Sequence, residues 1–303
     1  MIDLIAETAP LGGLERWLDD PAITEVLVNA GHEVWVERQG RLERVGTMRE
    51  ATVVAAVERI LSPIGRRLDR AHPAVDARLP DGSRLCAVIP PIAVDGPCVA
   101  IRRFAERTIG VDAFAGPEVA ALLGDAVAHR CNIVVSGPTS SGKTTLLNAL
   151  AGSVPTTERI ITLEDIAELR LPHPHVVRLE TRDATPDGVG AVSLADLLRT
   201  ALRLRPDRLV VGEIRGEEAI HLLQALNTGH DGSLATVHAN GPLDALLRIA
   251  SLVLQSATAW PLAAARQTVG RAIDVVVQVN RGPDGTRTVC DVCEVLTDER
   301  HEL

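Results

Sequence analysis

The stretch Ile133-Val134-Val135-Ser136-Gly137-Pro138-Thr139-Ser140-Ser141-Gly142-Lys143-Thr144-Thr145 decides the fold. Three aliphatic residues predict a short buried strand, Gly137 to Thr144 match G-x-x-x-x-G-K-[ST], and Leu146 to Leu150 continue as helix. Strand, glycine-rich loop and helix in that order are the context in which this motif cradles phosphate. The loop from Gly137 through Pro138, Thr139, Ser140, Ser141 and Gly142, with the open helix start at Lys143, Thr144 and Thr145, forms the candidate nucleotide cradle. Lys143 is placed to neutralise the β- and γ-oxygens of ATP, or the β-oxygens of ADP, Thr144 offers a hydroxyl to Mg²⁺, and Gly142 lets the backbone pass close to phosphate.

Downstream, aliphatic strands alternate with helices. Arg159 to Leu163 predict a second buried strand with Glu164 and Asp165 at its carboxyl end, where ligands of open α/β sheets collect. Val176 to Glu180 form a further strand, and the polar segment Thr181 to Ala191 an exposed mobile loop. Ser193 caps a helix over Leu194–Leu204, with Asp196 in the capping-box position. Asp207 to Glu213 are a hydrophobic strand ending in a carboxylate, able to hold Mg²⁺ through water or to orient an attacking water. A helix from Glu217 to Leu226, a strand from Ser233 to His238 and a helix capped by Asn240 follow. Strands over Ile273–Val279 and Thr288–Leu296 close the chain around the turn Gly282-Pro283-Asp284-Gly285. This is a doubly covered α/β domain with a hairpin appended.

Upstream, Leu14 to Leu18 read as a short helix. Runs over Ile23–Asn29, Glu33–Arg38 and Arg41–Val45, separated by turns at Ala30-Gly31-His32 and Gln39-Gly40, predict a β-meander. Glu50 to Leu61 place aliphatics at helical spacing, and Ala74–Leu79 and Arg84–Ile89 flank a Pro80-Asp81-Gly82-Ser83 turn before a strand over Cys98–Phe104. A small α+β domain over residues 1–112, followed by the nucleotide domain over 113–303, is the expected organisation.

Composition narrows the function. With 2% aromatic residues and no tyrosine, stacked platforms for single-stranded nucleic acid are not available. A formal net charge of −9 argues against general phosphate-backbone binding, so nucleic acid is not an expected partner. Five cysteines at scattered spacing argue against a disulfide framework, and Cys290 and Cys293 read as buried small hydrophobes, with a metal or redox pair as the alternative. No apolar stretch is long enough to span a bilayer, which predicts a soluble protein whose membrane association would come through a partner.

Four boxes in order give the chain a resemblance to the secretion ATPases of the type II/type IV superfamily, in the branch of the tight-adherence (Flp) pilus assembly ATPases, which is related to the type IV secretion ring ATPases. They are Gly137 to Thr145, Ile160-Ile161-Thr162-Leu163-Glu164-Asp165, Val210-Val211-Gly212-Glu213-Ile214-Arg215-Gly216, and Thr228 to Asn240 with His230 and His238. Val34 to Arg38, Leu79 to Leu85 and Ala100 to Phe104 resemble the family's regulatory domain. The resemblance implies a RecA-like P-loop NTPase domain preceded by a PAS-like α+β domain. It also implies a homohexamer with nucleotide between the domains, an inner-membrane platform protein as partner, and a cytoplasmic location at the membrane's inner face. The long amino-terminal helical extension and the four-cysteine zinc module of some relatives are not expected here, so no structural metal is predicted.

On that resemblance Glu164 is assigned to the nucleophilic water and Glu213 to Mg²⁺-bound water, although the two strand-end carboxylates could exchange roles. Asp165 serves the site or caps the next segment. His238 is a γ-phosphate sensor, His230 has a weaker claim, and Arg84, Arg102 and Arg103 are candidate arginines of the regulatory domain. Arg102 and Arg103 point to opposite sides of one strand, so at most one faces a nucleotide, with Arg102 preferred. Arg215 joins the site or pairs with Glu213 or Glu217. A DNA-translocating ATPase and a weakly hydrolysing structural subunit are the competing expectations.

Overall fold

The computed structural model describes residues 13–30, 32–38, 40–79, 81–103, 109–182, 184, 188–256 and 260–296. The turn residues Gly31, Gln39 and Pro80, the strand end Phe104, and positions 183 and 185–187 of the expected loop lie outside the described residues. The chain divides into two compact units, residues 1–106 and 107–303.

The first unit is a six-stranded sheet in the order β3-β2-β1-β6-β5-β4. Its strands are β1 (Ile23–Asn29), β2 (Glu33–Arg38), β3 (Arg41–Thr47), β4 (Ala74–Arg78), β5 (Arg84–Val88) and β6 (Cys98–Arg102). All neighbours pair antiparallel. Alternation decides which face is covered. Val26, Val28, Val34, Val36, Leu85, Ala87, Val99 and Ile101 turn inward onto Val53, Ala56, Val57, Ile60 and Leu61 of helix α2 (Glu50–Leu61). Trp17 of the short helix α1 (Glu15–Leu18) joins that core.

The second unit is a seven-stranded sheet in the order β13-β12-β7-β11-β10-β8-β9. It comprises β7 (Ile133–Gly137), β8 (Ile160–Glu164), β9 (Val176–Glu180), β10 (Arg208–Val211), β11 (Leu234–His238), β12 (Val275–Arg281) and β13 (Arg287–Glu294). Neighbours run parallel except the β12–β13 hairpin. Helices α3 (Pro117–Ala128) and α4 (Lys143–Ala151) cover one face, with Leu146, Leu147 and Leu150 packed on Ile133, Val135 and Leu234. Helices α5 (Leu194–Ala201), α6 (Glu218–Leu226), α7 (Pro242–Ser256) and α8 (Leu262–Ala272) supply the other core. With both faces covered, every residue of β7, β8 and β10 is buried, which is why these strands read as continuous aliphatic runs.

The pattern does not announce α8, whose alanine-rich run buries only Ala265, Val269 and Ala272. Asn240 is not the cap of α7. That helix begins at Pro242, and the Gly241 carbonyl accepts from Ala245 N at 3.0 Å, because proline suits the first helical position. Cys290 is exposed and Cys293 half-buried, against the expected burial. The β12–β13 register shifts between Gln278 and Val279, and the resulting bulge turns Cys290 out of the pairing. The described residues 188–191 of the polar loop are exposed, and Arg182 forms an antiparallel bridge with Val192 at its neck.

Ser193 and Asp196 form the capping box of α5. Ser193 N donates to Asp196 Oδ2 at 3.0 Å, and Asp196 N donates back to Ser193 Oγ at 3.2 Å. Ser193→Ala is expected to cost about 1 kcal/mol, seen as a lower urea midpoint at unchanged slope. An unchanged midpoint would show that the cap contributes nothing to stability.

Candidate functional site

Strand β7 ends at Gly137, and the chain then loops back on itself. A Cβ on Gly137 would lie 2.3 Å from the Val279 carbonyl oxygen and 2.6 Å from Ser141 Oγ, so only glycine fits. Ser140 and Gly142 both take the left-handed conformation, at φ 60° and 99°, and Gly142 is the residue from which α4 starts. Lys143, Thr144 and Thr145 occupy the first turn of α4, whose amides have no partner within the helix. Lys143 Nζ donates to the Gly137 and Pro138 carbonyls, each at 2.9 Å, holding the ammonium across the loop mouth. Burial lowers the Lys143 pKa, the Glu213 carboxylate draws it back up, and Arg215 lowers it further.

Three strands on one side of β7 deliver the polar side chains. In register His238 at the end of β11 pairs with Gly137, which sets this exposed histidine next to the phosphate loop. Glu164 at the end of β8 is only 3% exposed. Its Oε1 accepts from Glu168 N at 2.9 Å and Leu169 N at 2.8 Å, while Oε2 is buried with no hydrogen-bond partner among the described residues. Burial pushes the Glu164 pKa up to about 7, against the lowering effect of the Leu169 and Glu168 amides. A buried carboxyl oxygen without a partner costs free energy, and it is the kind of group a site water or substrate satisfies.

Glu213 lies two residues past the end of β10, and the surrounding chain is tied to both neighbours. Gly212 N donates to Leu163 O at 2.9 Å, Ile214 N to Thr236 O at 2.8 Å, and Thr236 Oγ1 to Gly212 O at 2.6 Å. Glu213 is therefore held between the ends of β8 and β11. Its Oε2 accepts from Arg215 at 2.7 Å, and Asp165 accepts from the same guanidinium at 3.3 Å.

Gly212 has a role that no local pattern announces. A Cβ there would lie 2.8 Å from Glu164 Cγ, so the glycine gives that side chain room to cross toward the phosphate loop. Gly212→Ala is expected to displace the carboxylate and cut turnover by about a hundredfold while nucleotide affinity changes little, measured by steady-state kinetics beside a binding titration. Wild-type turnover in a folded Gly212→Ala protein would show that the clearance is immaterial.

Other candidates lie elsewhere. His230 precedes β11, at the end of the sheet opposite His238, and its Nδ1 lies 3.3 Å from the Ala225 carbonyl. The whole length of the strand thus separates His230 from the loop of its own chain. Arg103 is engaged within the first unit, donating to the carbonyls of Asp20 and Ile23. Arg84 and Arg102 face each other across β5 and β6, with Arg78 and Glu25 continuing the row on the strands to either side.

The residues present fit Mg²⁺-nucleotide. A glycine-shaped loop, a helix start, a lysine and two strand-end carboxylates converge at the carboxyl ends of β7, β8, β10 and β11. Fold and site together define a RecA-like P-loop NTPase. The profile of the family "Type II/IV secretion system protein" matches residues 7–301, and the chain belongs to that family. A Mycobacterium tuberculosis protein, provisionally named for conjugal transfer, is 40% identical over 302 residues, covering 95% of this chain and 85% of its own. Type IV secretion system protein PtlH of Bordetella pertussis is 34% identical over 320 residues, covering 93% of each chain. The VirB11 ATPase of the Brucella suis type IV secretion system, solved with sulphate, superposes with a TM-score of 0.53 at 32% identity, covering 94% of this chain and 93% of its own. Among the described residues no helix is long and apolar enough to cross a membrane.

Proposed function

We propose that this protein hydrolyses ATP to ADP and phosphate as a homohexameric motor. It would work at the cytoplasmic face of the inner membrane with a platform protein, driving secretion or assembly of a pilus of the tight-adherence kind. The observation that carries the reading is the buried Glu164 carboxyl, its Oε2 without a partner among the described residues, on the sheet face that also carries the phosphate-loop helix. Family membership and the secretion and conjugal-transfer relatives support the motor role.

Mg²⁺, held through Thr144 and Glu213, would supply charge neutralisation at the phosphate oxygens. The loop amides and the start of α4 bind phosphate, and Lys143 exchanges the Gly137 and Pro138 carbonyls for phosphate oxygens. Glu164 takes a proton from the attacking water, a role that suits a carboxyl with pKa about 7 better than one at its ordinary value. His238 reads the terminal phosphate from the strand next to the loop. Arg215 keeps Glu213 and Asp165 in place. Arg84 and Arg102 are the arginines offered by the first unit, and their engagement with nucleotide would couple binding to domain closure.

ATPase activity measured across a gel-filtration profile, with and without DNA, tests this reading. Activity confined to a hexamer-sized fraction and indifferent to DNA is expected. Stimulation by DNA would transfer the reading to a DNA motor, a role that the net charge of −9 disfavours. Inactivity at every size would leave only a structural subunit.

A further inference from the structure

Between strand β10 and helix α6 the chain that carries Glu213 must find an acceptor for each buried amide. Gly212 N and Ile214 N bond to the flanking strands, and the Ile214 side chain sinks into the core shared with α6. The next two amides turn to neither strand. Arg215 N and Gly216 N both donate to Oε1 of Glu218, the second at 2.7 Å.

Glu218 is the first residue of α6 and only 5% exposed, whereas Glu217 ahead of it is exposed and supplies no side-chain cap. The Glu218 carboxylate thus turns back from the helix onto the chain that precedes it. Gly216 admits it closely, since a Cβ there would lie 3.3 Å from Glu218 Oε2. A negative charge suits the first turn of a helix, so electrostatics and hydrogen bonding agree at this position.

What the bond pair holds is the backbone from which the Arg215 side chain springs. The Arg215 guanidinium reaches Glu213 at 2.7 Å and Asp165 at 3.3 Å, joining the acids that follow β10 and β8. Arg215 itself is exposed, and ion pairs made by long exposed side chains are weak unless their geometry is imposed.

We infer that Glu218 is a positioning residue of this site, fixing through the amides of Arg215 and Gly216 the turn on which Glu213 and Arg215 are mounted. The inference rests on the nucleotide-hydrolysing reading above and adds a residue that acts through its neighbours. Hydrogen-bond partners behind a metal-holding carboxylate are worth about 10–100-fold in metal affinity or activity. Lys143 and the loop amides come from β7 and α4 rather than from this turn, so nucleotide affinity is left to them.

The test uses the full chain with Glu218→Ala, Glu218→Gln and Glu218→Asp. It reads kcat, KM and the Mg²⁺ concentration at half-maximal rate, Kd for Mg²⁺-free ADP, and amide exchange of Arg215 and Gly216 without nucleotide. Glu218→Ala is expected to lower kcat and raise the Mg²⁺ requirement by about tenfold or more, with Kd within about twofold. Exchange of the two amides should quicken by about tenfold or more. Glu218→Gln keeps an oxygen acceptor at the same reach and should recover most of these losses. A folded Glu218→Ala with wild-type kcat and Mg²⁺ requirement, even at a lower melting temperature, would overturn the inference. So would a Glu218→Gln as impaired as Glu218→Ala, because the acceptor would then not be what counts. If Glu218→Ala shows no cooperative melt, Glu218→Asp decides, its carboxylate being one methylene short. A raised Mg²⁺ requirement with faster exchange in that variant supports the inference, and wild-type values overturn it. Failure of the underlying reading looks different. A wild type that hydrolyses no ATP sinks the nucleotide-hydrolysing reading, whereas an active wild type matched by Glu218→Ala sinks only the role of Glu218.

Discussion

Glu164→Gln should lower ATP turnover by about two to four orders of magnitude while nucleotide binding persists, because glutamine keeps the shape and hydrogen-bonding reach but cannot accept a proton. The pH profile supplies a second signature. With a carboxyl at about 7 in the folded protein, kcat/KM of the wild type should rise with pH through that value. The same group leaves a mark on stability. Its pKa is raised from 4.5 to about 7, so between those values the folded protein binds more protons than the unfolded chain. Stability contributed by Glu164 is therefore present below pH 4.5 and lost as the pH rises toward 7, by an amount on the order of 3 kcal/mol. Urea unfolding of wild type and Glu164→Gln at a series of pH values should show the difference closing or reversing across that window. A variant with full turnover, or parallel stability curves for the two proteins, would remove Glu164 from the role of base.

The largest effect on stability is expected far from the nucleotide. Arg208 at the start of β10 is fully buried, and its guanidinium donates from Nε to Glu158 and from Nη1 to the carbonyls of Val127 at 2.9 Å and Gly232 at 3.0 Å. Glu158 also accepts from Arg130 at 3.1 Å. Glu158→Ala would leave a buried cation without its carboxylate, a loss expected to cost about 3–5 kcal/mol. Arg208→Met combined with Glu158→Leu removes both charges and should recover most of that loss, since well-packed apolar replacements of buried ion pairs are often neutral. Native-state hydrogen exchange of the β8 and β10 amides reads both variants. A loss below about 1 kcal/mol in Glu158→Ala would mean that solvent, not the carboxylate, compensates Arg208.

Much of the architecture was legible because it is local. The buried strands announce themselves as aliphatic runs, the phosphate loop as a fixed spacing of glycines and lysine, and the start of α5 as Ser193 followed by Asp196. The strand-end positions of Glu164, Glu213 and His238 follow from where each run stops. The α8 helix, the exposure of Cys290 and the start of α7 escaped, since each depends on packing or on a register shift in a partner strand.

What the residues alone determined is a phosphate-loop motif on a strand of an α/β sheet, with acids at the ends of further strands. Only the tertiary structure decided how those groups differ. It buried Glu164 and raised its pKa to about 7, paired the more exposed Glu213 with Arg215, and put His230 at the far end of β11. It also brought Glu158 against Arg208. The physical reason is that solvation and charge pairing depend on which distant segments meet, and a spacing rule along one strand or loop holds no record of that.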